Sequence, residues 1–277
     1  MDFAAGYERD GNFILEGVTH FDLEAILDCG QAFRWNKTED AGFRGVAFGK
    51  SLMINQQGER LILSGVSEAE FNQIWLSYFD FTRSYGNLKE SFYPHENLRR
   101  AVEFAPGIRV LRQDGWEVIC SFIISANNSI PRIKAAVERL CALFGQPIPG
   151  GYAFPTAERL ALLTPDDLAP VRCGFRAKYI VDAAQAVSDG RVELGSLYTL
   201  PVEEASAALQ KIKGVGPKVA ACALLFGFGR EECLPVDVWI SRALKSWFPE
   251  GLPKEVAPVA GIAQQYIFHY ARTGGVL

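Results

Sequence analysis

The chain has 277 residues, 49% of them hydrophobic and 22% charged, with a formal net charge of −4. This is the composition of a globular protein with one large domain or two to three small ones, and no stretch reaches the ~20 apolar residues that span a bilayer. The acidic balance argues against blanket attraction to polyanions and leaves room for a local basic face.

In chain order, the N-terminus MDFAAGYERD has no basic-then-apolar run, so no targeting segment is read, and the expected compartment is the cytoplasm of a bacterium. Over residues 12–65 the runs NFILEG, QAFRW, FRGVAFG, SLMIN and RLILSG alternate like strands, with Gly, Asn, Asp and Gln between them. They predict an antiparallel sheet, interrupted by a short helix near 21–27. From residue 67 the spacing of apolar residues becomes three to four, in SEAEFNQIWLSYF and then HENLRRAVEFA. Further helices are predicted over about 116–126, 131–144, 156–162, 175–188, 202–212, 217–227, 237–247 and 258–272. Pro131 marks a helix start, and Gly145, Gly174 and Gly214 read as helix stops. The fold class expected is α+β: an N-terminal antiparallel sheet domain over 1–90, then a helical body of two lobes over 91–277.

The six cysteines are scattered with no C-x-x-C pair, as reduced core thiols are, and the three histidines lie far apart. No metal site and no cofactor is expected.

The segment KIKGVGPKVAACALLFG, residues 211–227, joins two helical stretches through Gly-Val-Gly-Pro. That leaves only a tight turn. Gly214 and Gly216 permit positive φ and close approach of another backbone, and Pro217 opens the next helix without losing a hydrogen bond. The free N–H groups of that helix end make an anion site. Lys218 there reads three ways: solvated decoration, a phosphate contact, or a nucleophile. Asp237, in LPVDVW, reads as an N-cap and is equally able to act as a carboxylate facing Lys218.

These two segments together resemble the helix–hairpin–helix, Gly/Pro…Asp superfamily of DNA glycosylases, with the hairpin at about 203–227. Lysine at the hairpin's end is the mark of its bifunctional glycosylase/lyases. The runs CGQAFRW, RQDGWEVICSFIISANNSIPRI, CGFRAKYI and GIAQQYIF are similar in order and spacing to the 8-oxoguanine DNA glycosylase family, and the resemblance covers nearly the whole chain. It implies a bifunctional enzyme that excises 8-oxoguanine opposite cytosine in duplex DNA and nicks the strand by lysine Schiff-base chemistry, working as a monomer.

The same resemblance implies site residues. Lys218 is the nucleophile, its proton displaced by the helix end and by burial, and Asp237 stabilises the positive sugar. Gly30 aims a carbonyl at N7 of the base, Cys222 and Phe268 sandwich the base, and Gln264 reads its Watson–Crick edge. Asn127, Arg132 and Arg176 hold the partner cytosine, and Phe175 is the wedge beside the gap. Read singly, Gly30 is a strand-edge turn, Cys222 and Phe268 are core residues, and exposed Arg and Asn are solvated surface. Trp239 stands where eukaryotic members carry a His with phosphate and pocket contacts, and Phe175 where Tyr is familiar. Lys211, Lys213, Lys218, Arg132, Arg176 and Lys178 are the residues expected to form the local positive face. Two other readings stay open: a glycosylase for another damaged base, and a non-catalytic clamp on the DNA backbone.

Overall fold

The computed structural model describes residues 1–274, and the chain divides into two compact units. The first is made of Met1–Arg44, Leu52–Arg112 and the chain from Glu231 onward; the second of Gly45–Ser51 and Gln113–Arg230.

The first unit holds most of a six-stranded sheet: β1 (Ala5–Arg9), β2 (Asn12–Glu16), β3 (Asn36–Lys37), β4 (Phe43–Ala47), β5 (Lys50–Gln57) and β6 (Arg60–Ser64), in the order β1-β2-β6-β5-β4-β3. The tip of the β4–β5 hairpin groups with the second unit. β2 runs antiparallel to both neighbours and buries Phe13, Ile14 and Leu15, as a central strand covered on both faces does. β1 lies outside the predicted run. It is an edge strand with almost no buried side chain, so it carries no apolar alternation to read. Its signal is the two-residue loop Asp10-Gly11, both at positive φ (51° and 73°), between the paired Arg9 and Asn12.

QAFRW, predicted as a strand, is instead irregular chain apart from its junction with β3. The reason is Gln31. Its side-chain amide donates to the Ile26 and Arg109 carbonyls at 2.9 and 2.8 Å, and its oxygen accepts from Leu111 N–H at 2.9 Å. A buried side chain does the work that a neighbouring strand would otherwise do. Trp35 closes the segment by donating to the Tyr78 hydroxyl at 2.7 Å.

The core of this unit is aromatic, with Phe13 stacked on Phe71 at 4.3 Å and Phe21 on Phe81 at 5.2 Å. Arg109 is fully buried among these rings, 4.4 Å from the Tyr85 centroid and 4.9 Å from that of Phe81. It pairs with Asp2 and donates to the His20 and Asp80 carbonyls at 3.0 and 2.9 Å. Removing one partner of such a pair costs about 3–5 kcal/mol, because a charge is left buried alone. The predicted helices follow: a helix over 68–78 that is π-helical at Phe71–Trp75, then Glu96–Phe104, Val238–Trp247 and Ala260–Arg272.

The second unit is helical, with Gly115–Ser125, Ile130–Phe144, Ala177–Ser188, Val202–Leu209 and Pro217–Phe228 as its main elements and a two-residue hairpin, Pro147–Ile148 with Gly151–Tyr152. Gly115 and Gly227 let two of these helices touch: a Cβ on Gly227 would lie 2.8 Å from Gly115 Cα, and one on Gly115 would lie 2.4 Å from the Phe228 ring. Gly174, expected to stop a helix, opens the 3₁₀ turn Gly174–Arg176 that leads into Ala177–Ser188. Its φ of +61° turns the chain before the helix and not after one. All six cysteines are buried, and none forms a disulfide among the described residues. Among the described residues no helix is long and apolar enough to cross a membrane.

Candidate active site

The hairpin lies wholly in the second unit. Helix Val202–Leu209 ends in a turn, and Gly214 takes φ +84° with no room for a side chain, since a Cβ would stand 2.4 Å from the Tyr179 ring. Asp182, on the same helix as Tyr179, accepts the Lys213 N–H at 2.8 Å and lies 3.6 Å from the Lys213 ammonium. The turn is therefore held by helix Ala177–Ser188, through two residues that have no signature in the sequence. Gly216 caps the second helix in extended backbone, with open space where a Cβ would sit, and Pro217 follows at the first helical position. Backbone N–H groups of this first turn are left for an external acceptor.

Lys218 follows at once. It is exposed, with its Nζ 5.6 Å from the centroid of the buried Phe122 ring. The burial expected of it is not there; the apolar floor beneath the amine is Phe122, stacked in turn on Phe226 at 5.4 Å. Cys222, one helical turn further on, is 2% exposed.

A second cluster in the same unit joins two loops. Arg176 donates from Nε to the Ala126 carbonyl at 2.9 Å and from Nη2 to the Asn127 carbonyl at 2.9 Å, and its guanidinium stacks on Phe175 at 4.6 Å. Asn127 is exposed at φ +50°, a conformation Asn tolerates, and Arg132 is exposed two residues into the next helix. Phe175 is 59% exposed, a large cost in water for an aromatic ring unless something covers it. The structure thus brings Asn127, Phe175 and Arg176 to one place, and gives the Arg176 guanidinium a loop-tying role that its sequence position did not reveal.

In the first unit, Asp237 caps helix Val238–Trp247, its Oδ1 accepting the Ile240 N–H at 2.8 Å. Trp239 is 38% exposed, with the Arg242 guanidinium 5.6 Å from its ring. Gly30 sits at φ +82° in a loop fixed on both sides. Gln265 donates to the Cys29 carbonyl at 3.2 Å, Arg272 donates to the Asp28 carbonyl at 2.9 Å, and Gln31 anchors the chain beyond. Because Gln265 and Arg272 belong to helix Ala260–Arg272, that helix brings Gln264 and Phe268 to the Gly30 loop. The Gln264 side-chain oxygen is buried and has no hydrogen-bond partner among the described residues. Phe268 is half-buried, 5.8 Å from the Arg272 guanidinium. Burial pushes the Cys29 thiol up to about 11, so beside Gly30 it stays neutral and unreactive.

A glycine-proline hairpin ending in lysine joins two helices, and a capping aspartate follows further along the chain: the arrangement is a helix–hairpin–helix. Residues 120–256 match the family model of the HhH-GPD superfamily base excision DNA repair protein. Residues 14–119 match the model of the 8-oxoguanine DNA glycosylase N-terminal domain. The chain is 34% identical to an N-glycosylase/DNA lyase of Arabidopsis thaliana, over 93% of this chain and 76% of the relative, and 30% identical to one of Saccharomyces cerevisiae, over 80% and 67%. The crystal structure of an 8-oxoguanine glycosylase/lyase from Clostridium acetobutylicum, in complex with double-stranded DNA containing cytosine opposite 8-oxoguanine, is 37% identical with a TM-score of 0.92, over 99% of both chains. The chain belongs to the 8-oxoguanine DNA glycosylase family.

Proposed function

We propose that this chain is a bifunctional DNA glycosylase and abasic-site lyase that excises 8-oxoguanine opposite cytosine from duplex DNA in base excision repair. The observation that carries the reading is Lys218 in the first turn of the second hairpin helix, beside free backbone donors, in a chain of this family. Those donors take the DNA backbone, and the duplex covers the exposed amine and supplies the desolvation that the protein alone does not.

In the reaction, the neutral Lys218 Nζ attacks C1′ of the damaged nucleotide. The C1′–N9 bond breaks, and the base leaves with the electron pair and takes up a proton. The Asp237 carboxylate stabilises the positive charge that develops on the sugar. The sugar ring opens to an imine on Lys218. Loss of a C2′ proton then expels the 3′ phosphate and nicks the strand, and water releases the lysine.

The lesion is told from guanine at N7, an acceptor in guanine and a donor in the oxidised base. The Gly30 carbonyl attracts the second and repels the first. Gln264 offers an unpartnered buried acceptor to the flipped base, and Phe268 and Cys222 cover its faces. Phe175 fills the gap, while Asn127, Arg132 and Arg176 hold the cytosine left behind. Gly214 and Gly216 admit the phosphate backbone, and Trp239 takes the place of the family His beside Asp237. One chain carries every group the reaction needs, which supports a monomer acting on DNA.

The test is borohydride trapping on a duplex with one 8-oxoguanine opposite cytosine. A covalent adduct is expected with the wild type, and none with undamaged duplex or with Lys218→Gln. Base release without an adduct would point to a monofunctional enzyme. Binding without release or adduct would leave only a backbone clamp.

A further inference from the structure

Beside the exposed Phe175 lies a cavity of about 510 Å³ that the proposed reaction leaves unused. Phe175, Leu168 and Ala177 give it an apolar floor, and its cations are Arg172 and Lys178, against one carboxylate, Asp166. Arg172 is unusual in two respects. Its backbone is left-handed (φ 58°, ψ 37°), a conformation strained for a non-glycine residue, and its exposed side chain lies between the buried Val171 and Cys173. A conformation that any glycine would take without strain is occupied here by a cation. Lys178 lies on the other side of Phe175 in sequence, its ammonium 5.1 Å from the Tyr179 ring.

The chain as a whole carries a net charge of −4, so two cations lining one cavity next to an aromatic ring that is 59% exposed run against the average of the surface. The partner whose chemistry matches is a polyanion with stacking bases. We propose that Arg172 and Lys178 form a second phosphate clamp, which holds duplex DNA beside the Phe175 wedge, separate from the hairpin at Gly214–Gly216. The proposal rests on the reading of the chain as a DNA glycosylase. It adds Arg172 as a positioning residue that keeps the strand backbone in register while Phe175 enters the helix.

The test is fluorescence anisotropy with a labelled duplex carrying 8-oxoguanine opposite cytosine, titrated at several salt concentrations, beside the same duplex undamaged. Each phosphate contact contributes about 0.9 to the slope of log affinity against log salt. Arg172→Gly, which keeps the left-handed backbone unstrained, is expected to lower the slope by about 0.9 on both duplexes and weaken binding several-fold at low salt. Arg172→Lys is expected to restore the slope, and the double variant Arg172→Gly/Lys178→Ala to lower it by about 1.8. Slopes equal to wild type in Arg172→Gly and the double variant would overturn the clamp, as would a loss that Arg172→Lys does not rescue. Failure of the underlying reading looks different: the wild type would then neither prefer the lesion nor form a borohydride adduct.

Discussion

Gln264 holds a buried side-chain oxygen with no hydrogen-bond partner among the described residues, a position that costs roughly 1–3 kcal/mol in the free protein. A residue kept for packing alone would not carry that cost; one kept for a visiting base would. Gln264→Met is therefore expected to leave the protein as stable as the wild type or about 1 kcal/mol more stable in urea unfolding, while single-turnover excision of 8-oxoguanine falls at least tenfold. Loss of stability with excision intact would remove Gln264 from the base pocket. Lys89 makes a different test. It is 1% exposed, 3.1 Å from His20 Nδ1 and bonded to the Pro106 carbonyl, and burial lowers its pKa to about 8. Below that pH both folded and unfolded chains carry the proton and the burial cost is constant. Between about 8 and the unfolded value of about 10.4 the unfolded chain binds more protons, so stability rises with pH. Relative to Lys89→Met, the wild type is expected to gain roughly 1–2 kcal/mol between pH 7 and 9.5 in urea unfolding, a comparison that cancels the opposing ionisation of buried thiols. A pH-independent difference would mean that the ammonium is not desolvated.

The elements owe their placement to a few close contacts. Helices Gly115–Ser125 and Pro217–Phe228 cross where Gly227 meets Gly115, and the same crossing sets Phe122 beneath Lys218. Gly227→Ala forces a methyl into that contact and is expected to cost about 1–3 kcal/mol of stability. The borohydride adduct yield should fall further than that of a control variant equally destabilised elsewhere; equal losses would mean that the crossing supports stability only. Most elements were legible in the sequence. Helices Gly115–Ser125, Ile130–Phe144 and Pro217–Phe228 sit within a residue or two of where apolar spacing, Ser129-Ile130-Pro131 and Gly216-Pro217 place them. Edge strand β1 and the buried QAFRW loop were not, because the first buries almost nothing and the second is satisfied by a side chain 78 residues from its partner Arg109.

At the scale of the molecule, an acidic chain must hold DNA with local cations. If three to four phosphates are engaged, affinity for duplex is expected to fall about 40- to 150-fold between 50 and 200 mM salt, measured by anisotropy. A fall of under fivefold would mean that charge is not how this protein grips its substrate. The sequence by itself determined the fold class, through the switch from period two to period three-to-four near residue 67, and the hairpin with Lys218 and the cap at Asp237, because glycine, proline and capping chemistry are local. It also carried the family, through short runs in order. Only the tertiary structure decided that the C-terminal helices group with the sheet unit, that Gln265 and Arg272 fix the loop of Gly30, that Asp182 and Tyr179 hold the hairpin, and that Arg176 ties its own loop to Asn127. Those contacts join residues from 31 to 244 positions apart, and no local pattern encodes which distant carbonyl a buried side chain must satisfy.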